Sequence, residues 1–342
     1  MDQVLINLLN GLSSGLLLFM LSAGLTLIFS MMGVLNFAHA SFYMVGAYVA
    51  YTITAVLGFW VALLLAPLLI GLAGAGFERT VLRRVHKFGH VPELLVTFGL
   101  SYILLEVVQL VWGRTSVPFV APELLQGTAF TLVSSPLQSM QLVAGVAPDA
   151  MCQNVGEVIV QCSRYPLNRV FLAGVALLML LALWLLIKKT RIGLVIQAAL
   201  THPEAVEALG HNVPRVFMLV FGTGCAMAGL AGVVGGITFV TEPSMSNVGP
   251  IIFAVIVVGG MGSLPGAFVG SILIGLLQTL PLTVDGSLAT LSASFGAPIE
   301  PGSWLYPVAK ITLAQAAPIL PYLLLVLVLI FRPKGLMGTR EG

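Results

Sequence analysis

The chain has 342 residues, of which 58% are hydrophobic and only 8% charged, with a formal net charge of +2. That leaves too little polar surface to cover a water-soluble globule, so composition excludes a soluble enzyme and fits a polytopic membrane protein. A small charge carried in short loops also excludes nucleic acid as a partner.

The apolar runs are long rather than short and alternating, and 37 glycines accompany them. That pattern predicts an all-α membrane body of about eight closely packed spans and not a β-barrel. Met1 to Asn10 lacks a basic start, and no small-residue cleavage site follows, which predicts a first span that stays in the membrane. Runs of about 20 residues, enough for roughly 30 Å of hydrocarbon, lie near 5–31, 41–58, 59–77, 93–113, 168–187, 213–240 and 311–331. A further apolar stretch at 249–284 is interrupted.

The first two spans are separated by Gly33 to Ser41, GVLNFAHAS, which has no charge cluster to mark a loop. Asn36, His39 and Ser41 make it polar, and two readings stand: a helix break beside a transport pathway, or a short turn at the membrane surface. Arg79, Arg83, Arg84 and Lys87 follow the third span and read as a positive-inside anchor. Glu93, beside Pro92, reads as a first-turn acid suited to the helix dipole. Glu106 shares a helical face with Tyr102 and Gln109. It either lines a pathway, where a carboxylate could meet a substrate ammonium, or makes an interhelical contact; its nearness to Trp112 and Arg114 favours the contact.

Basic residues recur at Lys188, Lys189, Arg191 and Arg215, and again at Arg332, Lys334 and Arg340. The positive-inside rule makes all three basic segments cytoplasmic, so the connection 114–168 lies outside, as do Asp285 to Lys310 and the N-terminus. In that outer loop an oxidising exterior would join Cys152 and Cys162 as a disulfide, with two free thiols as the alternative. Thr241 falls outside and Arg332 inside, and the last span already makes that crossing. The 249–284 stretch must therefore enter and leave on one side, either as a re-entrant hairpin or as a tilted helix pair, with the turn-rich GGMGSLPG (Gly259 to Gly266) at membrane depth, where only protein or a watery cavity satisfies irregular backbone. Two interrupted segments in the two halves hint at an internal repeat.

Between two spans lies one organised polar island, Lys188 to Arg215. It has basic residues at its start, a helical stretch through Ala208, a stop at Gly210 and a second break at Pro214. Gln197, Glu204 and Glu207 accompany small residues at Ala198, Ala199, Ala205 and Ala208, which would let another protein approach closely. None of Lys87, Lys188, Lys189, Lys310 or Lys334 follows the glycines of a phosphate loop, so the chain is not expected to hydrolyse ATP. The five histidines have no metal-ligand spacing and the aspartates lie in loops, so no catalytic or metal site is expected.

Three segments carry a family resemblance: GLTLIFSMMGVLNFAHASFYMVGAYVA (Gly24 to Ala50), the island from Thr190 to Val216, and FAVIVVGGMGSLPGAFVGSILIG (Phe253 to Gly275), with FRPKGLMG closing at Phe331 to Gly338. Together they resemble the permease subunits of branched-chain amino acid type ABC importers, the shorter of two paralogous permeases. The resemblance implies one transmembrane permease domain over 1–342, with a 114–168 periplasmic loop and a 188–215 coupling loop, in a bacterial inner membrane. It implies a paralogous permease as partner, two cytoplasmic ATPases that bind ATP and magnesium, a periplasmic binding protein and surrounding lipid, with no cofactor in this chain. Carried over residue by residue, ATPase coupling falls on Thr201, His202, Pro203, Glu204, Ala205, Ala208, Gly210 and Asn212. The pathway falls on Asn36, Phe37, His39 and Ser41 and, at the second break, on Gly259, Gly260, Gly262, Pro265 and Gly266. Gln197 departs from an arginine common in relatives, and the stretch around Cys152 to Cys162 has no family counterpart. The rival is a passive channel for a small neutral solute such as urea. Such a channel would conduct alone and have no use for a docking helix. An ion-coupled transporter would want buried carboxylates, for which Glu106 is a thin basis.

Overall fold

A computed structural model describes residues 2–33, 36–135, 138–153, 160–201, 203–283, 286–295, 299–300 and 302–338. Helices dominate it: α1 (Asp2–Met32), α2 (His39–Leu57), α3 (Phe59–Phe77), a short α4 (Arg83–Val85) and α5 (His90–Trp112) form the first half. Then come α6 (Leu167–Lys189), α7 (Arg191–Thr201), α8 (Pro203–Ala208), α9 (Val213–Thr238), α10 (Gly249–Gly259) and α11 (Leu264–Thr279). Three short helices, α12 (Leu288–Ser294), α13 (Tyr306–Ala309) and α14 (Leu313–Ala316), precede α15 (Leu320–Phe331). Among the described residues, eight helical segments are long and apolar enough to cross a bilayer.

Both ends of the bundle can be assigned from contacts. At one end Tyr165 donates to the Leu9 carbonyl at 3.2 Å, Asn168 to Ile237 O at 3.1 Å and the Trp112 indole to Thr52 Oγ1 at 2.9 Å. These contacts gather the start of α1, the start of α6 and the ends of α5 and α9. At the other end Arg83 donates to the Pro214 carbonyl at 2.7 Å, and Ser30 to Gly262 O at 3.2 Å. Because the basic segments lie at this second end, it is the cytoplasmic one. Arg340 lies outside the described residues.

Helix α9 is the hub, packing on α1, α2 and α3. Lipid tails are as apolar as leucine, so burial alone does not draw such helices together and close backbone approach must. Gly232 supplies it: a Cβ there would lie 2.2 Å from the Tyr43 carbonyl oxygen and 2.8 Å from Ala47 N. Around the crossing sit wholly buried Phe19, Met20, Tyr48 and Phe221.

The interrupted stretch is a short helix, α10, followed by the longer α11. Eleven residues give α10 a length of about 16 Å, half a bilayer. The chain descends from the outer side through Pro243–Val248, α10 carries it on to a turn at Gly260–Ser263, and α11 returns. The pair enters and leaves on the outer side, but its turn sits at the cytoplasmic end rather than at membrane depth. The carbonyls of Val258 and Gly259 would be orphaned there. They are taken by backbone N–H groups of Leu336 and Met337 at 2.8 and 2.9 Å, so the tail after α15 caps α10.

The outer loop is not helical. It forms an antiparallel sheet in the order β2-β1-β3, with β1 Thr128–Ser135, β2 Gln138–Ala144 and β3 Gln161–Pro166. The all-α description therefore holds for the membrane body and not for this lobe. A disulfide joins Cys152 to Cys162 at 2.07 Å, and Cys162 pairs with Val133 across the β1–β3 ladder. Replacing both cysteines by serine is expected to destabilise the lobe by about 3 kcal/mol, the worth of closing a loop of this size. Limited proteolysis would then cut between β2 and β3 while the span core keeps its melting temperature.

Candidate functional site

Helix α2 starts late. His39 Nε2 lies 3.0 Å from the carbonyl of Leu21, well before the end of α1, so α2 begins beside the middle of that helix. The break is tied to α5: Phe37 N–H donates to Thr97 Oγ1 at 3.3 Å, and Ser41 Oγ donates to the Ser101 carbonyl at 3.3 Å. Val34 and Leu35 lie outside the described residues.

Beside the break is a cavity of about 520 Å3. Asn36, Phe37, His39 and Ser41 form one side, Phe98, Ser101, Tyr102 and Leu105 of α5 another, and Ser246, Asn247, Pro250 and Phe253 at and before α10 a third. Its lining contains no charged side chain. Phe37 is 49% and Tyr102 56% exposed, so the cavity opens sideways between α2 and α5. Two buried polar atoms at its wall have no protein partner: Asn36 Nδ2, whose Oδ1 accepts from Ala38 N at 3.1 Å, and His39 Nδ1. With Nε2–H given to Leu21, the neutral imidazole keeps Nδ1 as an acceptor, so a donor and an acceptor are left for a guest or for water.

The structure brings together Asn36, Phe37, His39 and Ser41, and it places the other pathway candidates elsewhere. Gly259, Gly260, Gly262, Pro265 and Gly266 line no part of the cavity. They build the α10–α11 turn: a Cβ on Gly259 would lie 2.2 Å from Gly266 O, and Gly260 has φ of 110°. The reason is packing, because only bare backbone lets the turn, α11 and the tail meet. Glu106 is exposed and also outside the lining, which stops at Leu105. The α5 wall was missed, although 98, 101, 102 and 105 recur at helical spacing on one face.

On the cytoplasmic side, the island folds as α7 and α8. Gly210, with φ of 85°, ends the helical run, and Asn212 caps α9 by accepting from Arg215 N at 3.0 Å. His202 and the side chains of Thr201 and Pro203 lie outside the described residues. Val206 and Ala199 are buried inward, so Ala199 is not free for a partner. Glu204, Ala205, Glu207 and Ala208 are exposed, and Leu209 is 79% exposed beside them. Glu93 proves to be more than a dipole partner: it is fully buried and accepts from His86 Nδ1.

A helical body with a half-length helix, an uncharged cavity at a broken span and a protruding cytoplasmic helix pair has the form of a multi-pass membrane transport protein. Residues 7–331 match the model of the branched-chain amino acid transport system permease component. The chain belongs to that family of ABC importer permeases. It is 27% identical to the high-affinity branched-chain amino acid transport system permease protein BraD of Pseudomonas aeruginosa, over 98% of this chain and 95% of that protein. It is 28% identical to the corresponding protein LivH of Escherichia coli K12, over 97% and 94%. A fructose import permease protein, FrcC of Rhizobium meliloti, is 32% identical over 32% of this chain. No solved structure matches the chain.

Proposed function

We infer that this permease pairs with a paralogous permease and passes branched-chain amino acids, or related small polar solutes, from a periplasmic binding protein to the cytoplasm. Two partner subunits bind ATP and magnesium, and their closure is received by α8 and its flanks. The observation that carries this is the uncharged, largely apolar cavity at the α1–α2 break. It suits a solute of no net charge with an apolar side chain, and its open side leaves room for a second permease wall. Asn36 Nδ2 and His39 Nδ1 are the polar atoms that would meet a carboxylate or an ammonium.

The test is uptake of labelled leucine into proteoliposomes holding both permeases, both ATPases and the binding protein. Uptake that requires ATP and the binding protein is expected. Ser101→Trp, which fills the cavity from α5, should slow it about tenfold, a barrier rise of about 1.4 kcal/mol, with an unchanged melting temperature. Urea flux through this chain alone without ATP would overturn the assignment.

A further inference from the structure

The stretch between α3 and α5 does more than anchor the chain. Glu78, at the end of α3, is 1% exposed, and a π-turn brings Arg83 back over it. The guanidinium grips the carboxylate with both arms, Nε to Oε1 at 3.2 Å and Nη2 to Oε2 at 2.8 Å. The same Nη2 donates to the carbonyl of Pro214 at 2.7 Å, in the first turn of α9 where the chain leaves the coupling segment. Three residues after Arg83, His86 binds buried Glu93 in the first turn of α5. His90 Nδ1 stands 3.6 Å from the other Glu93 oxygen. One turn beyond Glu93 lie Thr97, which holds Phe37 N–H, and Phe98, which lines the cavity. From the opposite side, Glu207 of α8 faces Arg83 and His86 across a crevice of about 190 Å3.

We propose, building on the coupling role of α8, that Arg83 is a positioning residue whose fork joins the coupling segment to the α5 wall of the cavity. Motion of α8 and of the α9 start reaches Arg83 through Pro214, passes along the short Arg83–His86 stretch and moves Glu93 with α5. Only the Glu78 side of this ion pair is buried, and such a pair is a poor source of stability compared with an apolar replacement of like size, but it fixes geometry. Lysine cannot replace this arginine, because a point charge has no fork with which to hold Glu78 and Pro214 together.

The experiment compares Glu78→Gln/Arg83→Gln, Arg83→Lys and Glu204→Lys in the complete reconstituted transporter. It reads melting temperature, basal ATP hydrolysis and solute moved per ATP. The double variant leaves no lone buried charge, so assembly and basal hydrolysis are expected to persist. Solute moved per ATP should fall at least about fivefold, the low end of ordinary coupling between sites. Arg83→Lys should show the same loss. Where the double variant fails to fold, Glu78→Leu/Arg83→Met fills the space apolarly and is read in the same way. Unchanged transport per ATP in the assembled variants, alongside uncoupling by Glu204→Lys, overturns the role of Arg83 alone. If Glu204→Lys also leaves coupling intact, the assignment of α8 falls, and this one with it.

Discussion

Reversing both charges on α8, Glu204→Lys with Glu207→Lys, is expected to bring stimulated ATP hydrolysis of the assembled transporter down to its basal rate and to abolish uptake. Both side chains are exposed, and the segment's inward anchor is the buried Val206. The permease should therefore fold and insert, and Glu204→Lys alone, which leaves Glu207 facing Arg83 and His86, should keep its melting temperature. A partner surface that accepts two carboxylates would meet two ammonium groups instead, and juxtaposed like charges cost several kcal/mol. At about 3 kcal/mol, docking weakens more than a hundredfold. The check is ATPase activity with and without loaded binding protein, beside co-purification of the ATPase subunits. Persistent stimulation would show that energy enters by another surface.

The second large effect concerns stability. Gly232→Leu is expected to leave little folded protein, because the first added atom already falls 2.2 Å from the Tyr43 carbonyl oxygen. The obstacle is backbone, so no side-chain rotation relieves it and α2 and α9 must separate. Overpacking of ordinary cores costs about 1–3 kcal/mol, and a clash with main chain at the hub of three helices should lie at or above about 3. Gly76→Leu is the control: Gly76 lies in α3, one of the helices packed on α9, yet nothing stands within 4 Å of its Cβ position. Thermal unfolding in detergent should separate the two by well over the few degrees expected of 1 kcal/mol. Equal melting temperatures would show that the helix crossing is looser than drawn.

The membrane body was legible because each span is a long apolar run, and hydrocarbon permits little else than helices there. Side assignment was legible through Arg79 to Lys87, Lys188 to Arg215 and the basic tail, and parity alone required 249–284 to return to the side it came from. What parity could not reveal was the depth of the turn. Depth is set by which backbone meets Gly260, and its partners lie some 75 residues later in the chain, at Lys334, Gly335 and Gly338. At the cavity, Asn36, His39 and Ser41 stood out as polar residues without a charged loop around them. Phe98, Ser101 and Leu105 did not, since an apolar helix facing lipid and one facing a cavity have the same composition. The sheet in the outer lobe escaped notice for a related reason. Its strands are short, and the pairing of Val133 with Cys162, which fixes β1 against β3, is non-local. Arg83 sat within a basic run that satisfies the positive-inside rule by itself, which hid the buried carboxylate beneath it.

The cap on α10 also bears on the order in which the molecule is finished. The N–H groups that close the end of that helix belong to Leu336 and Met337, which a ribosome adds after every membrane-spanning segment has been made. Until those residues arrive, Val258 and Gly259 keep bare carbonyls, and the cavity wall bearing Pro250 and Phe253 has no fixed lower end. The end of α10 is thus capped only once the tail has been translated. A fusion joined directly at Phe331 would yield a protein that inserts with all its spans yet leaves the end of α10 uncapped.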